Sequence, residues 1–264
     1  MRKSWIILRQ SFIDSTAYGS VTLVWILVAM LEILVPLVIW LSATPVGGSF
    51  GGFTKSQLLA YYALMTLVGN FTFWWLNFKI EEDIRSGDLS NILLKPISYF
   101  RYRLLNQLAD KAFSFLARIP IFVVVFIFFG EVIFTNFTLL SLILSIIATL
   151  LGSLIYMLIS AMFGLFSFWI TSTRGFISIY FFSVYLLSGE LAPLAFYPTW
   201  FRDLTSLLPY RYVLSFPIEL ILGKLSPTAI VTGFIVEASW LLGLAFLVNL
   251  LWRRGLRLYQ AYGK

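Results

Sequence analysis

From Phe137 to Thr171 the chain runs for 35 residues without a charged side chain. A helix rises about 1.5 Å per residue and a bilayer core is about 30 Å thick, so about 20 apolar residues suffice for one crossing. The run is too long for one perpendicular passage. Its helix is expected to tilt, kink or project beyond the bilayer, with Gly152 and Gly164 as points of adaptation. Composition points the same way: 60% of residues are hydrophobic, 18% aromatic and 12% charged, with a mean hydropathy of +0.91. A soluble domain does not tolerate that balance.

Further apolar windows lie at 21–43, 56–78, 113–129, 175–187 and 229–252. With 137–171 they predict an all-α integral membrane protein of six transmembrane helices, one transmembrane domain over 1–264. Residues 1–20 carry Trp5, Leu8 and Phe12 at helical spacing, with Lys3, Arg9 and Gln10 directed elsewhere. That pattern predicts an interfacial helix, broken from the first span at Gly19, rather than a simple extension of it. Arg9 and Asp14 interrupt the apolar stretch, which argues against a removable signal peptide.

Six crossings place both termini on one side. The N-terminal segment, residues 79–118, Arg174 and the C-terminal tail hold 15 of the 19 Lys and Arg, leaving Lys55, Arg202, Arg211 and Lys224 elsewhere. The positive-inside rule therefore puts both termini and the 79–107 loop in the cytoplasm. The net charge of +7 is answered by anionic membrane lipids, and with no separate basic domain no nucleic acid is expected as a partner.

Cysteine and histidine are absent, which removes disulfides, thiolate or imidazole metal sites and any Ser-His relay. No phosphate-binding GxxxxGK[ST] loop occurs, since Gly223-Lys224 lacks the upstream glycine. The chain is thus expected to be no enzyme and to hold no metal or cofactor. Glu32 falls in the middle of the first span and Glu237 within the sixth. An ionised group there costs about 2.5–3.5 kcal/mol, so each needs a partner or a cavity, and both are candidates for a substrate path. Pairing with a neighbouring helix or protonation is the structural alternative.

The one long charged segment is KIEEDIRSGDLSNILLKPISYFRYR, Lys79 to Arg103. Glu81, Glu82 and Asp83 precede Arg85, Ser86-Gly87-Asp88 offers a turn, and Leu89, Ile92, Leu93 and Leu94 form an apolar face before Lys95-Pro96. A helix, a turn and a second short helix are expected. Leucines beside mixed charges suit docking into a groove on another protein, and a mere linker would be shorter. With no phosphate loop and no chain of intramembrane acids, an external motor docking here is the simplest drive.

The connection SGELAPLAFYPTWFRDLTSLLPYRYVLSFPIELILGKLSP, 188–227, is too oily for an aqueous loop. Its prolines predict short broken helices that enter and leave the membrane from the outer side, and not two extra crossings. The residues that mark this re-entrant segment are Glu190, Pro193, Pro198, Trp200, Pro209 and Arg211.

These two segments, and EEDIRSGDLSNILLKPIS above all, resemble the six-span membrane subunits of bacterial type 2 ABC exporters, the ABC-2 family permeases, over nearly the full length. The resemblance implies a permease half that pairs with a second permease, identical or homologous, and with cytoplasmic ABC ATPase subunits that would bind ATP and magnesium. It implies a bacterial inner (cytoplasmic) membrane and an amphiphilic cargo such as a drug or lipid. Carried over, Glu81, Glu82, Asp83, Ile84, Arg85, Gly87, Asp88, Leu89, Leu93, Lys95 and Pro96 would sit in the ATPase groove. Ile84, Leu89 and Leu93 would be its apolar contacts, and Thr171 to Arg174 a second, smaller one. An ATP-independent secondary transporter or channel would show repeats or paired intramembrane charges. A lipid-modifying membrane enzyme would need catalytic residues that the sequence does not offer.

Overall fold

The computed structural model describes residues 31, 34–134, 138–170 and 174–259. The expected interfacial helix over 1–20, most of the first span with Glu32, and Thr171 to Thr173 lie outside the described residues. What is described is almost entirely helical. Helix α1 covers Leu34–Ala43. A two-stranded hairpin, β1 (Ser49–Phe50) and β2 (Phe53–Thr54), then turns on Gly51 and Gly52, whose φ values of 55° and 79° favour glycine.

Helix α2 (Lys55–Thr72) starts on a reciprocal capping box: Gln57 N donates to Thr54 Oγ1 at 3.3 Å, and Thr54 N donates to Gln57 Oε1 at 3.2 Å. It closes at Thr72, inside the 56–78 window, and helix α3 begins only at Leu76 (Leu76–Ser86). The break has a physical cause. Lys111 Nζ donates to the carbonyls of Asn70, Phe71 and Phe73 at 3.1, 3.0 and 2.8 Å, and Ser153 Oγ donates to Phe71 at 2.8 Å. Side chains from elsewhere thus take carbonyls that a continuing helix would have used.

Gly87, at φ 81°, separates α3 from α4 (Asp88–Leu93), and α5 (Tyr99–Phe134) contains the 113–129 window. Helix α6 (Leu139–Leu165) starts on the Thr138/Ser141 capping box and tightens into a 3-10 turn at Phe166–Phe168. Helix α7 (Arg174–Leu187) has 14 residues, about 21 Å at 1.5 Å per residue, less than a hydrocarbon core. The proline-rich connection folds into a 3-10 turn (Leu194–Phe196) and the short helices α8 (Thr199–Leu207), α9 (Tyr210–Val213) and α10 (Ser215–Ile221). Helix α11 (Pro227–Leu258) is capped by Ser226, with Pro227 in its first turn, where a missing N–H does no harm.

Among the described residues two helices are long and apolar enough to cross a membrane, Leu139–Phe168 and Pro227–Leu258. Only 39% and 17% of their most apolar stretches are buried, so Leu139, Leu150, Leu242 and Phe246 point outward. A core helix of a soluble protein would hide them; lipid is the matching solvent.

Helix α6 lies at the centre, packed on α11, α3, α10, α9 and α2. It runs as one continuous helix through Gly152 and Gly164. They let other backbone come close: a Cβ on Gly152 would collide with the Tyr212 carbonyl, and one on Gly164 would stand 2.8 Å from Ile80 Cβ and 2.9 Å from the Asn77 carbonyl. Three apolar clusters follow along this axis. One joins α2 to Leu214 and Ile218, a second gathers Ile155, Tyr156, Tyr180 and Phe216, and a third joins α3 and α4 to Leu165 and Val248.

Candidate functional site

The third cluster carries the segment expected to meet a motor. Asn77 N donates to Ser160 Oγ at 2.9 Å, and Ser160 Oγ reaches the Trp74 carbonyl at 3.0 Å, which fastens the start of α3 to α6. Ile80, Leu89 and Ile92 are buried against Leu165 and Val248. At the turn itself Tyr259 Oη donates to the Gly87 carbonyl at 3.2 Å and lies 3.1 Å from Ser90 Oγ. Tyr99 stacks on Trp252 with ring centroids 4.8 Å apart. Helices α3 and α4 therefore form an elbow pinned to the C-terminal ends of both α6 and α11.

Asp83 is the elbow's buried charge. Arg103 Nε donates to its Oδ2 at 2.7 Å, Arg103 Nη2 donates to Oδ1, and Tyr99 Oη donates to Oδ2 at 2.5 Å. Burial, helped by Asp83, raises Tyr99 and keeps it a neutral donor. Burial works against the charge of Arg103, but Asp83 outweighs it and the guanidinium is held above its ordinary value.

The elbow sorts the expected coupling residues into two sets. Leu89 is fully buried, Ile84 is partly buried and Asp83 is closed off, so these three hold the elbow to the body in this conformation. Glu82, Arg85, Asp88, Leu93, Lys95 and Pro96 are exposed, as is Leu94, which the sequence reading left out of its apolar contacts. Leu94 is 85% exposed and Leu93 43%. Spacing did not offer the signal: Ile92 and Leu93 stand at i+3 and i+4 from Leu89 and both share its face by periodicity, yet only Ile92 is buried with it. Lys79–Glu82 and Arg85–Glu81 are surface ion pairs at 3.0 Å, of little energetic weight. Arg174 opens α7; Glu81 is half-buried.

Glu237 lies on α11, fully buried, and neither carboxyl oxygen has a hydrogen-bond partner among the described residues. At the opposite end of α6 the residues of the proline-rich segment divide as well. Pro193 and Pro209 are buried, Glu190 is half-buried, and Pro198 and Trp200 are exposed. Arg211 Nη2 donates to Glu219 Oε2 at 2.8 Å, and Ser215 Oγ donates to Glu219 Oε1 at 2.8 Å. Sequence reasoning missed Glu219. Its signal was an acid in an oily segment that already held a basic residue, since such charges must pair. Tyr61 and Tyr62 tie this segment to α2 by donating to the carbonyls of Gly189 and Leu191, each at 2.9 Å. Among the described residues no three acidic side chains gather closely enough to hold a metal ion.

Apolar helices turned outward and a polar elbow pinned to their ends define a helical membrane protein. A family model described as ABC-2 family transporter protein matches residues 26–263, and the chain belongs to that family. It is the membrane subunit of a transporter, not itself the catalyst, in a family whose membrane domains work with ABC ATPases. No curated protein and no solved structure matches the chain.

Proposed function

We propose that this chain is the permease half of an ATP-driven exporter in a bacterial inner membrane. A second permease, identical or homologous, completes the translocation path at their interface, and ABC ATPase subunits dock on the α3–α4 elbow from the cytoplasm, where both termini lie. ATP and magnesium belong to those subunits. The observation that carries this reading is the elbow's two-sidedness: a buried side bolted to α6 and α11, and an outer side of Glu82, Arg85, Asp88, Leu93 and Leu94 with no packing role.

In this reading ATP-driven closure of the motors pushes on the outer side. The Asp83–Arg103 pair and the Tyr99–Trp252 stack pass the displacement to the long helices as one body. The apolar, aromatic outer surfaces suit an amphiphilic cargo. Extraction in mild detergent tests the reading: an ATPase should co-purify, and transport in vesicles should need ATP. Glu237 favours one rival, an ion-driven carrier, because a buried carboxyl with no hydrogen-bond partner among the described residues can bind a cation or proton. Transport without ATP by the chain alone would establish that rival instead.

A further inference from the structure

The C-terminal end of α11 forms a groove with the end of α6, about 590 Å³ in volume. Phe166, Trp169, Leu251 and Leu258 make its apolar walls, and Arg254 and Arg257 enter it from one helix face at i, i+3. Neither arginine is in an ion pair among the described residues. Both arginines are exposed, so an anion from outside the chain can reach them.

A ligand for this groove needs an anionic group for two guanidinium forks and an apolar part for an indole and two leucines. The phosphate of a lipid meets the first demand through bidentate bonds to arginine, and its acyl chain meets the second. Basic pockets between membrane helices on the cytoplasmic side are where anionic headgroups bind. We propose that Arg254 and Arg257 hold the phosphate of an anionic phospholipid whose acyl chain lies along Trp169 and Leu251. The proposal rests on the transporter reading in one respect only, that this end of α11 faces the inner leaflet.

The test uses the full chain, purified without any ATPase, so that its outcome is independent of motor docking. Wild type, R254Q/R257Q and R253Q are placed in phosphatidylcholine nanodiscs carrying a trace of labelled phosphatidylglycerol, and bound label is measured. Arg253 does not line the groove. Wild type and R253Q should enrich phosphatidylglycerol, and R254Q/R257Q should lose about thirty-fold in affinity, from the weight of two arginines at an anionic surface. Equal enrichment in wild type and R254Q/R257Q would overturn the proposal. So would full competition by millimolar inorganic phosphate, which would mark a simple anion site. Enrichment that appears only after deletion of residues 1–20 would also overturn it, because the groove would then belong to the N-terminal segment.

Discussion

Asp83 and Arg103 form a two-pronged ion pair that is nearly closed to solvent, the two side chains being 4% and 13% exposed. They lie on successive long elements, α3 and α5, so the pair fixes how the elbow leaves the body. Arg103→Ala would strand a carboxylate with Tyr99 as its remaining side-chain donor, and breaking such a pair by removing one partner costs about 3–5 kcal/mol. The expected result is a clear fall in melting temperature in detergent. The double variant D83L/R103M, which leaves no lone charge, should regain most of it. A single variant as stable as wild type would show that the pair does not hold the elbow.

The same elbow separates folding from docking by a few side chains. Leu94→Asp and Leu93→Asp change exposed positions and should leave the stability within about 0.5 kcal/mol of wild type. They should nonetheless prevent capture of the ATPase and abolish stimulated ATP hydrolysis. Leu89→Ala instead opens a cavity in the third cluster and should destabilise by about 2–5 kcal/mol. If the Leu93 and Leu94 variants still bind the ATPase normally, the outer side of the elbow is not the contact.

What the sequence made legible, and what it hid, divides by range. The turn at Gly87 was readable because Ser-Gly-Asp between two helical patterns needs a residue free to adopt positive φ. The proline-broken run over 188–227 was readable for the same local reason, and the long charge-free windows announced a membrane. The inward turn of Leu89 and the burial of Asp83 were not, because they depend on Leu165, Val248 and Arg103 arriving from distant parts of the chain. The early end of α2 was hidden too: its cause is Lys111, about forty residues downstream. Local chemistry showed where the chain turns, and tertiary contacts decided which side of each helix is left for a partner.

Close backbone approach around α6 yields a contrast among glycines. Gly164→Ala would force a methyl against Ile80 and the Asn77 carbonyl, and overpacking of this kind costs about 1–3 kcal/mol. Gly243, in the interior of α11, has open space where a Cβ would go. Gly243→Ala should therefore be neutral or stabilising by up to about 1 kcal/mol through helix propensity. Thermal melts of the two variants check this, and equal effects would mean that Gly164 is not a packing contact.

Lys111 offers the most direct test of why the second apolar window does not fold as one helix. Its ammonium, a compact charge with three donors, serves three carbonyls at the end of α2 and also lies 4.6 Å from the centre of the Trp74 ring. Lys111→Met keeps the apolar stem but removes the donors, with an expected loss of about 1.5–3 kcal/mol for hydrogen bonds to a charged group. The freed Asn70 carbonyl, and the Phe71 carbonyl that Ser153 still occupies on one side, can then accept from the amides of Trp74 and Trp75, extending α2 toward α3. Hydrogen exchange should show those two amides becoming better protected in Lys111→Met, even as the protein as a whole becomes less stable. Lys111→Arg should restore neither property, because a planar guanidinium cannot converge on three carbonyls from one point. Unchanged exchange at Trp74 and Trp75 in Lys111→Met would place the cause of the break in α3 and α6 rather than in the lysine.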